Sequence, residues 1–125
     1  MKTKFNTLAE LEQILRDKLG MINYHIVYDD GQPKFMEVQT SAHKIRRVKA
    51  KPGDKWGHLE FAFSIREKGK QKKIRFQVHR VVFLLEAPTC NISGLVIDHI
   101  NNKPSDNRIE NLRAIGLEIF KQRQN

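Results

Sequence analysis

The sequence predicts a small α+β protein. Three observations lead there: one helix signature near the N-terminus, period-two apolar alternation through the middle, and a chain of 125 residues that can bury one modest core. Thr7-Leu8-Ala9-Glu10 has the capping-box pattern, a hydroxyl followed three residues later by a carboxylate. Leu8, Leu11, Ile14, Leu15 and Leu19 recur at helical spacing, and Gly20 can end the helix, which predicts an amphipathic helix over residues 8–19. Residues 21–28 are apolar and β-branched enough for a strand, Asp29-Asp30-Gly31 marks a turn, and residues 34–39 read as a second strand. Residues 41–50 carry His43, Lys44, Arg46, Arg47 and Lys49 around Ile45 and Val48, and their secondary structure is ambiguous. Lys51-Pro52-Gly53-Asp54 is a loop.

The hairpin that follows is clearer. Leu59, Phe61, Phe63 and Ile65 alternate with polar or small residues, and after a lysine-rich turn Ile74, Phe76 and Val78 do the same. One face packs on the core. The other carries Arg66, Lys73 and Arg75, and the tip carries Lys68, Lys70 and Lys72. Residues 79–87 read as a short buried helix stopped by Pro88. Residues 95–99 form a strand, 101–111 a loop, 112–115 a brief strand and 117–125 a terminal helix. Trp56 and the phenylalanines are expected in the core, and Cys90 is an incidental loop thiol. The chain divides into an N-terminal helix and strand region, residues 1–56, of open role, and a second region, residues 57–125. Together they make one compact domain.

Composition narrows the function. Hydrophobic residues are 39% and charged residues 30%, a globular balance. No run approaches the roughly 18 apolar residues of a membrane span, and residues 1–13 have no signal-peptide core, so the expected setting is the cytoplasm. One cysteine excludes an internal disulfide and any Cys-rich structural zinc site. The net charge of +9 is concentrated: Ser41 to Val82 holds 13 lysines and arginines against 3 acidic residues. A surplus of ten in that third of the chain points to a polyanion, and double-stranded DNA fits better than a membrane surface, because the basic segment is not an amphipathic helix. A two-stranded basic ribbon fits a DNA major groove. A merely solvated basic face remains the plain alternative.

The chemistry-bearing residues lie later. Asp98-His99 ends a strand, and Asn111-Leu112-Arg113 follows a polar loop. A carboxylate can hold a hard cation through oxygen, and a neutral histidine, with a reference pKa near 6.5, can take a proton from water at neutral pH. An Asn amide oxygen can fix the imidazole's orientation and tautomer. Phosphodiester hydrolysis asks for these parts.

The run Val78-His79-Arg80-Val81-Val82, then Gly94 to Asn102 with Asp98-His99 inside it, then Asp106-Asn107-Arg108-Ile109-Glu110-Asn111-Leu112-Arg113, closely resembles the HNH endonuclease family. The likeness is greatest to the branch found in phage-borne and intron-borne homing endonucleases, and it covers about residues 57–120. It implies a ββα-metal core, two strands and a helix that clasp one divalent ion, Mg²⁺ or Mn²⁺. It implies His99 as general base, Asp98 as metal ligand, and Asn111 as the residue that steadies the loop and the base. It also matches His79 and Arg80 to the pair that opens the preceding helix, with Arg80 on phosphate and His79 either packing or functional. Asn101, Asn102 and Asn107 match the loop's polar positions and read as turn formers.

One position departs from the family. The residue nine beyond the central Asn, a His or Asn that completes the metal site, is here Phe120. Three readings are open: Gln122, Gln124 or Asn125 supplies the missing oxygen; Asp98 holds the ion with phosphate and water; or the protein binds DNA without cutting it. The sequence therefore predicts an HNH-type DNA endonuclease that acts as a monomer or homodimer, with a catalytically degenerate DNA-binding protein as the rival. Arg46, Arg47, Lys68, Lys70, Lys72, Lys73, Arg75, Arg80, Arg108 and Arg113 are its expected DNA contacts. His25, His43 and His58 are expected to be structural or DNA-facing.

Overall fold

Thr7 opens the first helix as its sequence predicts. In the computed structural model, which describes residues 3–117 and residue 120, Thr7 Oγ1 accepts the backbone N–H of Glu10, and Glu10 Oε1 accepts that of Asn6. Helix α1 (Leu8–Leu19) ends at Gly20, whose φ of 67° lets its N–H reach back to the last turn. Leu11, Leu15 and Leu19 form its buried stripe.

The strands β1 (Asn23–Asp29), β2 (Gln32–Ser41) and β3 (Lys44–Lys49) make one antiparallel sheet. Residues 41–50 were ambiguous because side-chain type and burial are out of step there. Ile45 is 61% exposed, whereas Arg46 faces inward. The Arg46 guanidinium donates to the Ser64 carbonyl at 2.7 Å and lies 5.6 Å from the Phe63 ring centre. An arginine can do this because its planar head satisfies a carbonyl and stacks on an aromatic at once.

A second antiparallel sheet holds β4 (Lys51–Pro52), β5 (Leu59–Glu67) and β6 (Lys70–Gln77). The β5–β6 hairpin follows its alternation, with Phe61 opposite Phe76 and Phe63 opposite Ile74. Lys68 and Gly69 both have positive φ, which fits a two-residue hairpin turn matched to strand twist. Helix α2 (Val78–Glu86) follows directly. Then β7 (Leu95–His99) and β8 (Leu112–Gly116) pair antiparallel across the polar loop. Leu117 and Phe120 are helical. Residues 118, 119 and 121–125 of the predicted terminal helix, with Gln122, Gln124 and Asn125, lie outside the described residues.

One hydrophobic cluster runs from Phe5 through α1, β2, β5, β6 and α2 to Ile97 and Leu112. Phe5, Phe63 and Phe76 meet edge to face. Trp56 does not join them. It is 67% exposed, on a loop whose backbone is tied to Asp54 instead: Asp54 Oδ1 accepts the N–H of Trp56 at 2.9 Å and of His58 at 3.1 Å. The expectation of a core tryptophan is corrected on that ground.

The same loop is closed by a tight contact. A Cβ on Gly53 would lie 2.4 Å from Glu60 Cδ and 2.8 Å from Cγ, and Glu60 is buried and paired to Arg75. Gly53→Ala should therefore lower thermal stability by about 1–3 kcal/mol, the usual cost of overpacking. An unchanged melting temperature would mean that Glu60 swings aside freely.

Candidate active site

Strands β7 and β8 place Asp98 and His99 at one end of their ladder, opposite Arg113 and Leu112. Both side chains are buried, and both line one cleft of about 850 Å³. Opposite faces of an ideal strand would have separated them. At this strand end they share a cavity.

The loop between the strands is held by its own amides. Asn111 Oδ1 accepts the N–H of Asn101 at 3.0 Å, while its Nδ2 donates to Asn101 Oδ1 and to the Asp106 carbonyl. Asp106 is the hub. It accepts two bonds from the Arg108 guanidinium, at 2.9 and 2.7 Å, one from Asn101 and one from Gln32. The Arg108 bonds, opposed by desolvation and joined by those from Gln32 and Asn101, hold its carboxyl well below the usual carboxylate range.

Gln32 comes from the start of β2, on the far side of the sequence. Its Nε2 donates to Asp106 Oδ1 at 2.8 Å and its Oε1 accepts the N–H of Asn107 at 3.0 Å. Asn107 is fully buried, and its Oδ1 lies 2.8 Å from His99 Nε2. An amide oxygen only accepts, so Nε2 carries the hydrogen and the neutral ring keeps its lone pair on Nδ1. Burial is the largest influence on the His99 pKa and pushes it below the ordinary histidine value. The Asn107 bond opposes this and His58 adds to it. The imidazole is therefore neutral at pH 7, as a proton acceptor must be.

Asn111 and Asn107 thus divide the work expected of Asn111 alone. Asn111 braces the loop; Asn107, expected as a turn former, holds the His99 ring. Arg113 Nε donates to Asp98 Oδ2 at 3.2 Å. Arg80 also lines the cleft, and its guanidinium donates to the Phe5 carbonyl and to Asn6 Oδ1 in the N-terminal segment. Arg75 pairs with Glu60, Arg108 with Asp106, and Arg47 lies over the Phe35 ring near Glu37. Most of the arginines among the expected DNA contacts therefore also hold partners within the fold. Lys68, Lys70 and Lys73 are exposed and form no ion pair among the described residues, while Lys72 pairs with Glu67 at 3.5 Å.

Two further histidines line the cleft. His58 and His79 stand with His99 in a triangle of ring centres 5.0 to 5.9 Å apart. Phe120 lines it too. Among the described residues no three His, Cys, Asp or Glu side chains converge on a common metal position. Asp98 is the one carboxylate among the described residues lining the cleft, and Mg²⁺ commonly takes few protein ligands beside water and phosphate.

Residues 76–116 match the HNH endonuclease family model. The matched stretch holds α2, β7, the loop and β8, with Asp98, His99 and Asn111 inside it. Gln32, His58 and Phe120 lie outside it. No curated protein and no solved structure matches the chain.

Two tests follow from the HNH segment's supporting network. Asp106 has a depressed folded pKa, so its contribution is full above the unfolded value of about 3.9 and is lost as pH falls below it. Asp106→Asn should lower the urea midpoint at pH 7 and narrow the difference between pH 7 and pH 3. Equal shifts at both pH values would show that the Asp106 carboxyl titrates alike in the folded and unfolded chain over that range. Gln32→Ala should cut any nucleolytic turnover by about tenfold or more, while far-ultraviolet circular dichroism stays native. Unchanged turnover would detach β2 from the site.

Proposed function

We propose that this protein is a metal-dependent DNA endonuclease of the HNH homing type, which nicks duplex DNA as a monomer. The observation that carries this reading is His99: a buried neutral imidazole with Nε2 tied to Asn107, beside the Asp98 carboxylate in one cleft. The order and spacing of Asp98, His99 and Asn111 support the homing-type branch, and the HNH match supports nuclease chemistry.

The scissile phosphate would enter the cleft between Asp98 and the histidines. His99 Nδ1 takes a proton from the attacking water as the water oxygen bonds to phosphorus. Asp98 would hold the divalent ion, Mg²⁺ or Mn²⁺, which when bound neutralises charge developing on the phosphate. Arg113, now on Asp98, is placed to follow that charge. The lysines of the β5–β6 tip grip the DNA backbone by charge. One site per chain explains nicking; cutting both strands needs a second copy.

Phe120 favours one rival. A phenyl ring where the family carries a ligand weakens any metal site, which suits a protein that binds DNA without cutting it.

Supercoiled plasmid separates the two. Wild type with Mg²⁺ or Mn²⁺ should produce nicked circles, EDTA should stop it, and His99→Ala should lower the rate by at least about a hundredfold with DNA affinity kept. Tight binding with no nicking under any metal would establish the rival. Lys70→Ala with Lys72→Ala should reduce the slope of log affinity against log salt by about two. An unchanged slope would take the hairpin tip off the interface.

A further inference from the structure

His58 lies outside the HNH segment, on the loop before β5, and nothing in the proposed mechanism uses it. Its surroundings are built, not incidental. His58 Nδ1 is 2.7 Å from Asp54 Oδ2. A carboxylate oxygen only accepts, so Nδ1 carries a hydrogen and the ring's other nitrogen, Nε2, is left to do chemistry. Asp54 also accepts the backbone N–H groups of Trp56 and His58, and the Gly53 N–H closes the loop onto the His58 carbonyl at 2.8 Å. The imidazole is therefore fixed in tautomer and position by one aspartate. The side chain is 33% exposed, lines the cleft with His99, and its ring centre is 5.9 Å from that of His99.

The two imidazoles have opposite wiring. His99 faces an amide oxygen and offers a lone pair. His58 faces a carboxylate that balances the charge of its doubly protonated form, and that form offers Nε2–H. Hydrolysis of a phosphodiester needs both functions, a base for the water and an acid for the departing sugar oxygen. We propose that His58, oriented by Asp54, is the general acid of this site and protonates the leaving oxygen.

The inference rests on the endonuclease reading. In the step, the water oxygen bonds to phosphorus and its proton passes to His99 Nδ1. The phosphorus–ester oxygen bond breaks, and that oxygen takes the proton from His58 Nε2. His58 is left neutral and His99 charged, and exchange with solvent restores both.

The test compares two substrates in the full-length protein. DNA has a poor leaving group. In bis(4-nitrophenyl) phosphate the nitrophenolate departs without a proton. His58→Gln should lose about a hundredfold or more on DNA and stay within about threefold of wild type on the nitrophenyl ester, which also shows that the variant is folded. His99→Ala should lose both. Equal losses of His58→Gln on the two substrates, or no loss on DNA, would overturn the acid role while leaving the endonuclease reading intact. A wild-type protein inactive on both would overturn that reading itself.

Discussion

A glutamine and an asparagine 75 residues apart hold the site together. Gln32 on β2 grips Asp106 and the Asn107 backbone with the two ends of one amide, and Asn107 in turn holds the His99 ring. Such buried polar groups are costly unless each finds a partner, and they rigidify what they join when they do. The loop between β7 and β8 has few apolar residues with which to pack. Its shape depends on this chain of amides, with Arg108 and Asn101 completing the shell around Asp106. The N-terminal sheet thereby helps to orient the His99 ring, which lies in the other half of the sequence.

Charge is sorted by chemistry in the same structure. Arg46, Arg47, Arg75, Arg80 and Arg108 stack on rings or satisfy carbonyls and carboxylates, tasks that suit a planar guanidinium. The lysines of the hairpin tip stay in solvent as point charges. A basic composition therefore overstates the cationic charge left free at the surface, and the tip of the β5–β6 hairpin carries three closely spaced exposed lysines, Lys68, Lys70 and Lys72.

Local elements were legible because local physics decides them. The capping box at Thr7 and the alternation at Phe61, Phe63 and Phe76 describe α1 and the hairpin nearly residue for residue. Asp98, His99 and Asn111 were singled out by their resemblance to the HNH motif, and the structure puts Asp98 and His99 on one cleft with Asn111 bracing the loop beside it. Asn107 was readable as polar loop but not as the partner of His99, because Asn serves turns and hydrogen bonds equally well. Gln32 carried no signal, since nothing nearby in sequence announces a contact so distant. Trp56 was misjudged for a related reason. Its exposed position follows from Asp54, which ties a loop that composition marks only as irregular.

The account turns on which nitrogen of His99 is open to water. A long-range ¹H–¹⁵N correlation spectrum of the histidine rings, recorded above pH 7 with Asn107→Ala for comparison, reads this directly. The account predicts that His99 is neutral with its hydrogen on Nε2, and that this preference weakens when Asn107 is lost. A hydrogen on Nδ1 in the wild-type protein would contradict it, because the clamp would then hold the base with its lone pair turned away from the substrate.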